Sequence, residues 1–351
     1  MEISAPEDML PRAKAADWFE VQALVSGTRG FSMAEFIGAL AMEDLPSGYS
    51  DDGFGPTDEA IIDDRHFEYA DDILRELEWR SEILGEDYPF NLTPSKSGMS
   101  WRLRPALPNK DCNTAQLAYV VCLLIAAIRY RFLIGDGYDL VEASAPQIMQ
   151  DISTVAAREL VQGEVFSMGF PRKDGLGFRM ALQDFVTAVG VGSVKDPPPA
   201  SQISSAKDGG IDLIAWRAFG DRRNPALLTY GQVASGQKWE EKSVSGVIDG
   251  KFLHWLEPHP TKHYFPSMFI PFMQHESLVV KNGRDFDEVL KDKLESLEKT
   301  LGVVVDRIRI AELLDEVPDR ISEQNSELFQ QLVEWLKAIK PKLEKSTNLS
   351  R

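Results

Sequence analysis

A mixed α/β domain with helical additions at both ends is the fold class this chain predicts. Two short runs carry the β part: residues 211–216 and 227–233 are almost continuously apolar and too short for ordinary helices. That pattern suits central strands covered on both faces. Long stretches on either side carry apolar residues at helical spacing, and no segment repeats another.

Taken in order, residues 13–26, 32–41 and 59–84 read as helices, the last through Ile61, Phe67, Ile73, Leu74, Leu77 and Trp79. The polar run 48–55 (GYSDDGFG) is a break between them. Residues 90–106 alternate around Ser97-Gly98 and predict a β-hairpin. Residues 115–134 approach the length of a membrane span, yet contain Gln116, Arg129 and Arg131. They read as a helix buried in the protein's core, with no membrane role.

After Gly135-Asp-Gly137, the residues Val141, Ala145, Ile148, Ile152 and Val155 form one apolar helical face. Residues 165–170 read as a strand and 177–189 as a helix, followed by a loop at 195–207 with Pro197, Pro198 and Pro199 in succession. Beyond Glu240 the pattern is irregular and aromatic. Residues 285–301 and 321–343 close the chain as helices, with VVVDRIRI (303–310) between them. This divides the chain into an acidic, mainly helical region with a hairpin (1–110), a central α/β domain (111–283) and a C-terminal helical region (284–351).

Composition narrows the function classes. With 43% hydrophobic and 26% charged residues, the chain falls among ordinary globular proteins. Its first residues lack a basic stretch followed by an apolar run, so no secretion signal is expected. Cys112 and Cys122 make no disulfide framework, which fits a reducing cytoplasm. The net charge of −17 argues against unaided nucleic-acid binding, because phosphate neutralisation supplies much of that affinity. The acidic excess is concentrated before residue 90, through Asp51, Asp52, Asp58, Glu59, Asp63, Asp64 and their successors, and reads first as solvated surface. No Gly-x-x-x-x-Gly-Lys-(Ser/Thr) loop or Gly-x-Ser-x-Gly elbow is present. His254, His259 and His263 sit in a proline-broken segment without a nearby cysteine, a poor zinc site. The aromatics between Trp239 and Phe272 read as core before they read as base-stacking surfaces.

Chemistry concentrates in Asp208-Gly-Gly-Ile-Asp212 and, twenty residues on, in Gly231-Gln232-Val-Ala-Ser-Gly-Gln-Lys238-Trp-Glu-Glu-Lys242. Asp212 interrupts an apolar strand just after a flexible Gly-Gly pair. A carboxylate there is costly unless it is paired or binds a metal. Gln232 ends the next strand with a carbonyl oxygen that can ligate a hard cation. Lys238 and Lys242 are four residues apart and would share one face if a helix followed Gly236. A metal to polarise phosphate and a cation to meet developing charge are what phosphodiester hydrolysis needs.

These residues resemble the PD-(D/E)XK nuclease superfamily, in the variant seen in Mrr-type restriction endonucleases. There a Gly-Gly-Ile-Asp strand precedes a Gln-x-Lys strand. The resemblance covers residues 138–245. It implies a restriction-endonuclease-like mixed central sheet flanked by helices and Mg2+- or Mn2+-dependent cleavage of DNA, often in restriction or anti-phage defence. On this reading Asp212 and Gln232 hold the metal. Asp139-Leu-Val-Glu142 looks like the element that supplies a helical glutamate, which makes Glu142 a third ligand. Pro146 would kink a helix spanning both, and Glu159 is the substitute. Ala234 stands where the lysine belongs, so Lys242 or Lys238 would be its migrated replacement. Lys242 comes first, because the segment resembles a Gln-x-Ala-(Ser/Thr)-Gly-x-x-Trp-x-x-Lys pattern.

The acidic balance then implies a protein partner, a motor or sensor that brings DNA. Ala234 equally fits a degenerate nuclease fold acting as a structural or regulatory subunit. A third reading is a binding module that uses the aromatic segment as an interface.

Overall fold

A five-stranded mixed sheet organises the protein, and its strand order is set by where the chain turns back on itself. The structure is a computed structural model that describes residues 2–3, 10–43, 64–94, 100–106, 112–134, 138–170, 172, 175, 177–196, 209–221, 227–280, 284–315 and 323–344. Outside them lie the 48–55 break, the turn at Ser97-Gly98, Gly135 to Gly137, the proline-rich loop from Pro197 on, and Asp208.

The N-terminal part contains β1 (Glu2–Ile3), α1 (Arg12–Val25), β2 (Phe31–Ser32), α2 (Met33–Glu43) and α3 (Asp64–Leu84). Next come β3 (Phe90–Pro94), β4 (Trp101–Pro105), α4 (Thr114–Arg129) and β5 (Leu133–Ile134). The middle holds α5 (Tyr138–Val161), β6 (Glu164–Ser167), α6 (Phe178–Val189), β7 (Leu213–Arg217), β8 (Leu227–Val233), α7 (Val244–Val247) and β9 (Phe265–Phe269). The chain closes with α8 (Phe286–Leu301), β10 (Val303–Val305), α9 (Arg307–Leu314) and α10 (Glu323–Glu344).

The central sheet has the order β10-β9-β8-β7-β6. β6, β7 and β8 run antiparallel, and β9 and β10 then add parallel to β8. The two runs read as strands from sequence are its middle, and their burial is nearly continuous, as apolar runs require. β9 lies in the aromatic segment and β10 inside the VVVDRIRI run, so the final strand comes from between the two closing helices, in the C-terminal region read as helical overall. The 90–106 hairpin forms as β3 and β4, and β2 joins it as a third strand.

Side-chain alternation divides the core between two faces. Leu213, Ala215, Phe269 and Val305 point toward one large cluster shared with α1, α4, α5 and α9. Ile214, Trp216, Tyr230, Met268 and Val304 point the other way, against α6, Phe252 and Leu301. α4 sits among α1, α5, α9 and α10 and is buried along almost its whole length. Its apolar composition follows from that position: all sides meet protein. Asn113 Oδ1 accepts a hydrogen bond from Gln116 N at 2.9 Å and Gln116 Oε1 one from Asn113 N at 3.3 Å, a reciprocal helix cap. Among the described residues no helix is long and apolar enough to cross a membrane.

Buried charge ties the N-terminal helices to α9. Arg80 of α3 donates to Asp17 at 2.7 Å, to Glu20 at 3.0 Å and to Glu76 at 3.0 Å. Arg307 also donates to Asp17, and its guanidinium lies 4.8 Å from the centre of the Tyr119 ring. Tyr88 and Tyr119 both donate to Glu20 at 2.7 Å.

Candidate active site

Asp212 lies where β7 begins, and the Gly-Gly turn before it is dictated by backbone geometry. Gly209 and Gly210 have φ of +65° and +82°, a region that side-chain-bearing residues rarely enter. A Cβ on Gly209 would lie 2.7 Å from Phe178, and one on Gly210 would lie 2.6 Å from Val247. The turn delivers Asp212 into the gap between β6 and β8. Its N–H donates to Gly231 O at 2.9 Å, and its carbonyl accepts from Met168 N at 2.8 Å and Gly169 N at 2.9 Å. One carboxylate oxygen, Oδ2, accepts from Val233 N at 2.8 Å.

A cleft of about 600 Å³ opens at this end of the sheet. Asp212, Val233 and Ser235 form its strand side; Gln147, Gln150 and Asp151 of α5 form its helix side, and Arg172 lines it from the loop after β6. Gln150 Nε2 donates to Asp212 O at 2.8 Å and to Ser167 Oγ at 3.1 Å, which joins helix to strand across the cleft. Gln147 Nε2 donates to Asp151 at 3.1 Å. Acceptor oxygens and a guanidinium in one concave place can hold a cation together with an anionic ligand.

The other residues read from sequence divide around this cleft. Gln232 is buried, but alternation turns it with Tyr230 and Ala234 away from Val233 and Ser235, and it does not line the cleft. Its Nε2 donates to Gly210 O at 2.5 Å, while its Oε1 is buried with no hydrogen-bond partner. Ala234 packs in the same cluster as Trp239. Glu142 lies in the first part of α5, which runs through Pro146 as one helix, and it is paired with Arg129. Arg129 Nε also donates to Ser235 O at 2.8 Å, so this arginine links Glu142 to the end of β8. Glu159 is on the last turn of α5, paired with Arg158.

Lys238 and Lys242 do not share a helical face. The segment Gln237–Glu241 is a 3₁₀ turn in which Lys238 leaves helical geometry, and Lys242 is extended. Trp239 accounts for this: it is fully buried, its indole donates to Glu276 at 2.7 Å, and both lysines are left exposed on the surface. Glu276 also accepts from Tyr130. Burial raises the Glu276 carboxyl above its ordinary range, although hydrogen bonds from Tyr130 and Trp239 oppose the shift.

Gln147, Gln150, Asp151 and Arg172 were not singled out from sequence. The apolar face of α5 was legible, and the cleft residues belong to its complement, but the side of the helix that faces solvent and the side that faces a cleft look alike in sequence. His254, His259 and His263 are exposed, and among the described residues no group of three His, Cys, Asp or Glu side chains could hold a metal ion. Phe252, Trp255, Phe269 and Phe272 are buried, as core aromatics should be.

Fold and site together define a mixed α/β protein with a polar cleft at one end of its central sheet. No model of a known protein family matches the chain, and no match was found among curated proteins or solved structures.

Proposed function

We propose that this protein is a metal-dependent nuclease acting on DNA, with its catalytic centre in the sheet-end cleft around Asp212. The observation that carries the reading is the position of that carboxylate. It stands at the mouth of an otherwise apolar strand, held by Val233 N, and faces a cleft lined by acceptor oxygens and Arg172. A mixed sheet with helices on both faces agrees with it.

The donors suit Mg2+ or Mn2+, which prefer oxygen and keep much of their shell for water and phosphate. The acceptor oxygens of Asp212, Gln147 and Asp151 in one cleft are the observation that favours a cation there. Asp212 would be the anchoring ligand and Asp151 the helical carboxylate; Gln232, turned to the other face of the sheet, and Glu142, paired with Arg129, lie outside the cleft lining. A bound cation of this kind supplies phosphate polarisation and a more acidic water. The chain's own groups do the rest. Val233 N and Gln150 orient Asp212, and Arg172 meets phosphate charge; Lys238 and Lys242 stand exposed outside the cleft lining, and their alanine variants test whether either contributes. Arg129 keeps Glu142 and Ser235 in place relative to each other.

A second reading rests on Ala234 and Arg129. With a buried methyl where a lysine would stand and Glu142 already neutralised by an arginine, the cleft could belong to a degenerate nuclease fold serving as a regulatory subunit. One experiment separates them. Supercoiled and linear DNA are incubated with pure protein in Mg2+, Mn2+ or EDTA, beside Asp212→Ala, Lys242→Ala and Lys238→Ala. The nuclease reading expects metal-dependent cutting that disappears in Asp212→Ala. No cutting, and no rise in melting temperature on adding either metal, favours the degenerate fold.

A further inference from the structure

At the edge of the cleft, after β6, stands an exposed aromatic ring. Met168 N and Gly169 N both donate to the main-chain carbonyl of Asp212, so Phe170 directly follows the backbone that holds this residue in place. Phe170 is 54% exposed. The Arg172 guanidinium stands 5.9 Å from the centre of that ring, within cation–π range, and Arg172 Nη1 is braced by donating to Met168 O at 2.9 Å. Phe170 and Arg172 both line the cleft with Asp212.

A flat apolar face beside a fixed guanidinium, at the rim of a polar cleft, is the pair of surfaces that an unstacked nucleotide presents in reverse. The ring offers stacking to a base of any identity, and the guanidinium offers charge to its phosphate. A base inside a duplex has both faces occupied by its neighbours and cannot use the ring.

We infer that Phe170 and Arg172 form a docking platform for an unpaired nucleotide, which makes single-stranded nucleic acid the preferred ligand of the cleft. The inference rests on reading that cleft as a nucleic-acid site, and it deepens that reading by naming the form of the substrate. Strand separation, at an end, a gap or a melted segment, then decides where the protein engages.

Binding is measured by fluorescence anisotropy in EDTA, where metal-dependent cutting plays no part. A labelled single-stranded oligonucleotide is compared with the same sequence as a duplex, using the full chain and its Phe170→Ala, Phe170→Trp and Arg172→Ala variants. The single strand should bind at least tenfold more tightly than the duplex. Phe170→Ala should weaken it by roughly 5- to 150-fold, the range for losing one stacked base. Phe170→Trp should retain wild-type affinity or improve on it. Arg172→Ala should reduce the slope of log affinity against log salt by about 0.7, one phosphate contact on a single strand. Equal binding of duplex and single strand, no binding of either, or an unchanged Phe170→Ala overturns the inference. Because the assay contains no metal, Phe170-dependent single-strand binding by a protein that never cuts would leave the platform standing and remove the nuclease. Cutting that is indifferent to Phe170 would do the reverse.

Discussion

Removing the Asp17 carboxylate should be among the most damaging single changes available in this protein. Asp17 is fully buried, and one of its oxygens accepts from both Arg80 and Arg307. The surrounding cluster balances: Asp17, Glu20 and Glu76 face Arg12, Arg80 and Arg307. Asp17→Asn leaves one buried positive charge in excess. Two unit charges 4 Å apart at an effective dielectric near 20 interact by about 4 kcal/mol. Breaking a buried ion pair by removing one partner costs about 3–5 kcal/mol by direct experience. The two routes agree, and either is a large part of the roughly 5–15 kcal/mol by which proteins are stable.

The assay is urea denaturation of Asp17→Asn, Arg307→Met and the double variant Asp17→Asn/Arg307→Met. Each single change should cost about 3–5 kcal/mol, and the double should cost less than the sum of the singles by more than about 1.5 kcal/mol. A single-variant loss under about 1 kcal/mol would refute the reasoning, because it would mean that water screens the cluster.

Two further predictions concern sites away from the cleft. Burial raises the Glu276 carboxyl, so its favourable contribution is complete below the ordinary carboxylate pKa and is lost as pH rises through the native value. Glu276→Gln should therefore gain stability relative to wild type between pH 4.5 and pH 7.5, read as urea midpoints at the two values; a relative loss would contradict the assigned direction. Gly302 has φ +72°, and a Cβ there would lie 2.1 Å from Pro266 O, on the neighbouring strand β9. Gly302→Ala should destabilise by at least about 2 kcal/mol in thermal unfolding. Gly250→Ala, with nothing within 4 Å, should stay within about 0.5 kcal/mol of wild type.

Much of the architecture was legible because period and burial are local signals. The strands over 211–216 and 227–233 and the hairpin over 90–106 follow from short-range patterns, as does the helix over 115–134 as far as Arg129; Leu133 and Ile134 form β5 instead. β9 and β10 were not read as strands. β9 is five residues long and opens with Phe265-Pro266, and β10 is three valines followed by the helix cap Asp306. Elements of that length become strands because a neighbour offers a ladder, which local pattern does not record.

For the site, the sequence by itself determined that Asp212 is a carboxylate out of place in an apolar strand and that Gly-Gly precedes it. Those are properties of residue type and period. Only the tertiary structure decided the company it keeps. Burial of Trp239 broke the expected helix and sent Lys238 and Lys242 to the surface; the pairing with Arg129 occupied Glu142; and the approach of α5 brought Gln150 and Asp151 to the cleft instead. The physical reason is that a side chain's partners are set by packing between elements distant in sequence, whereas its own propensity and polarity are set where it stands.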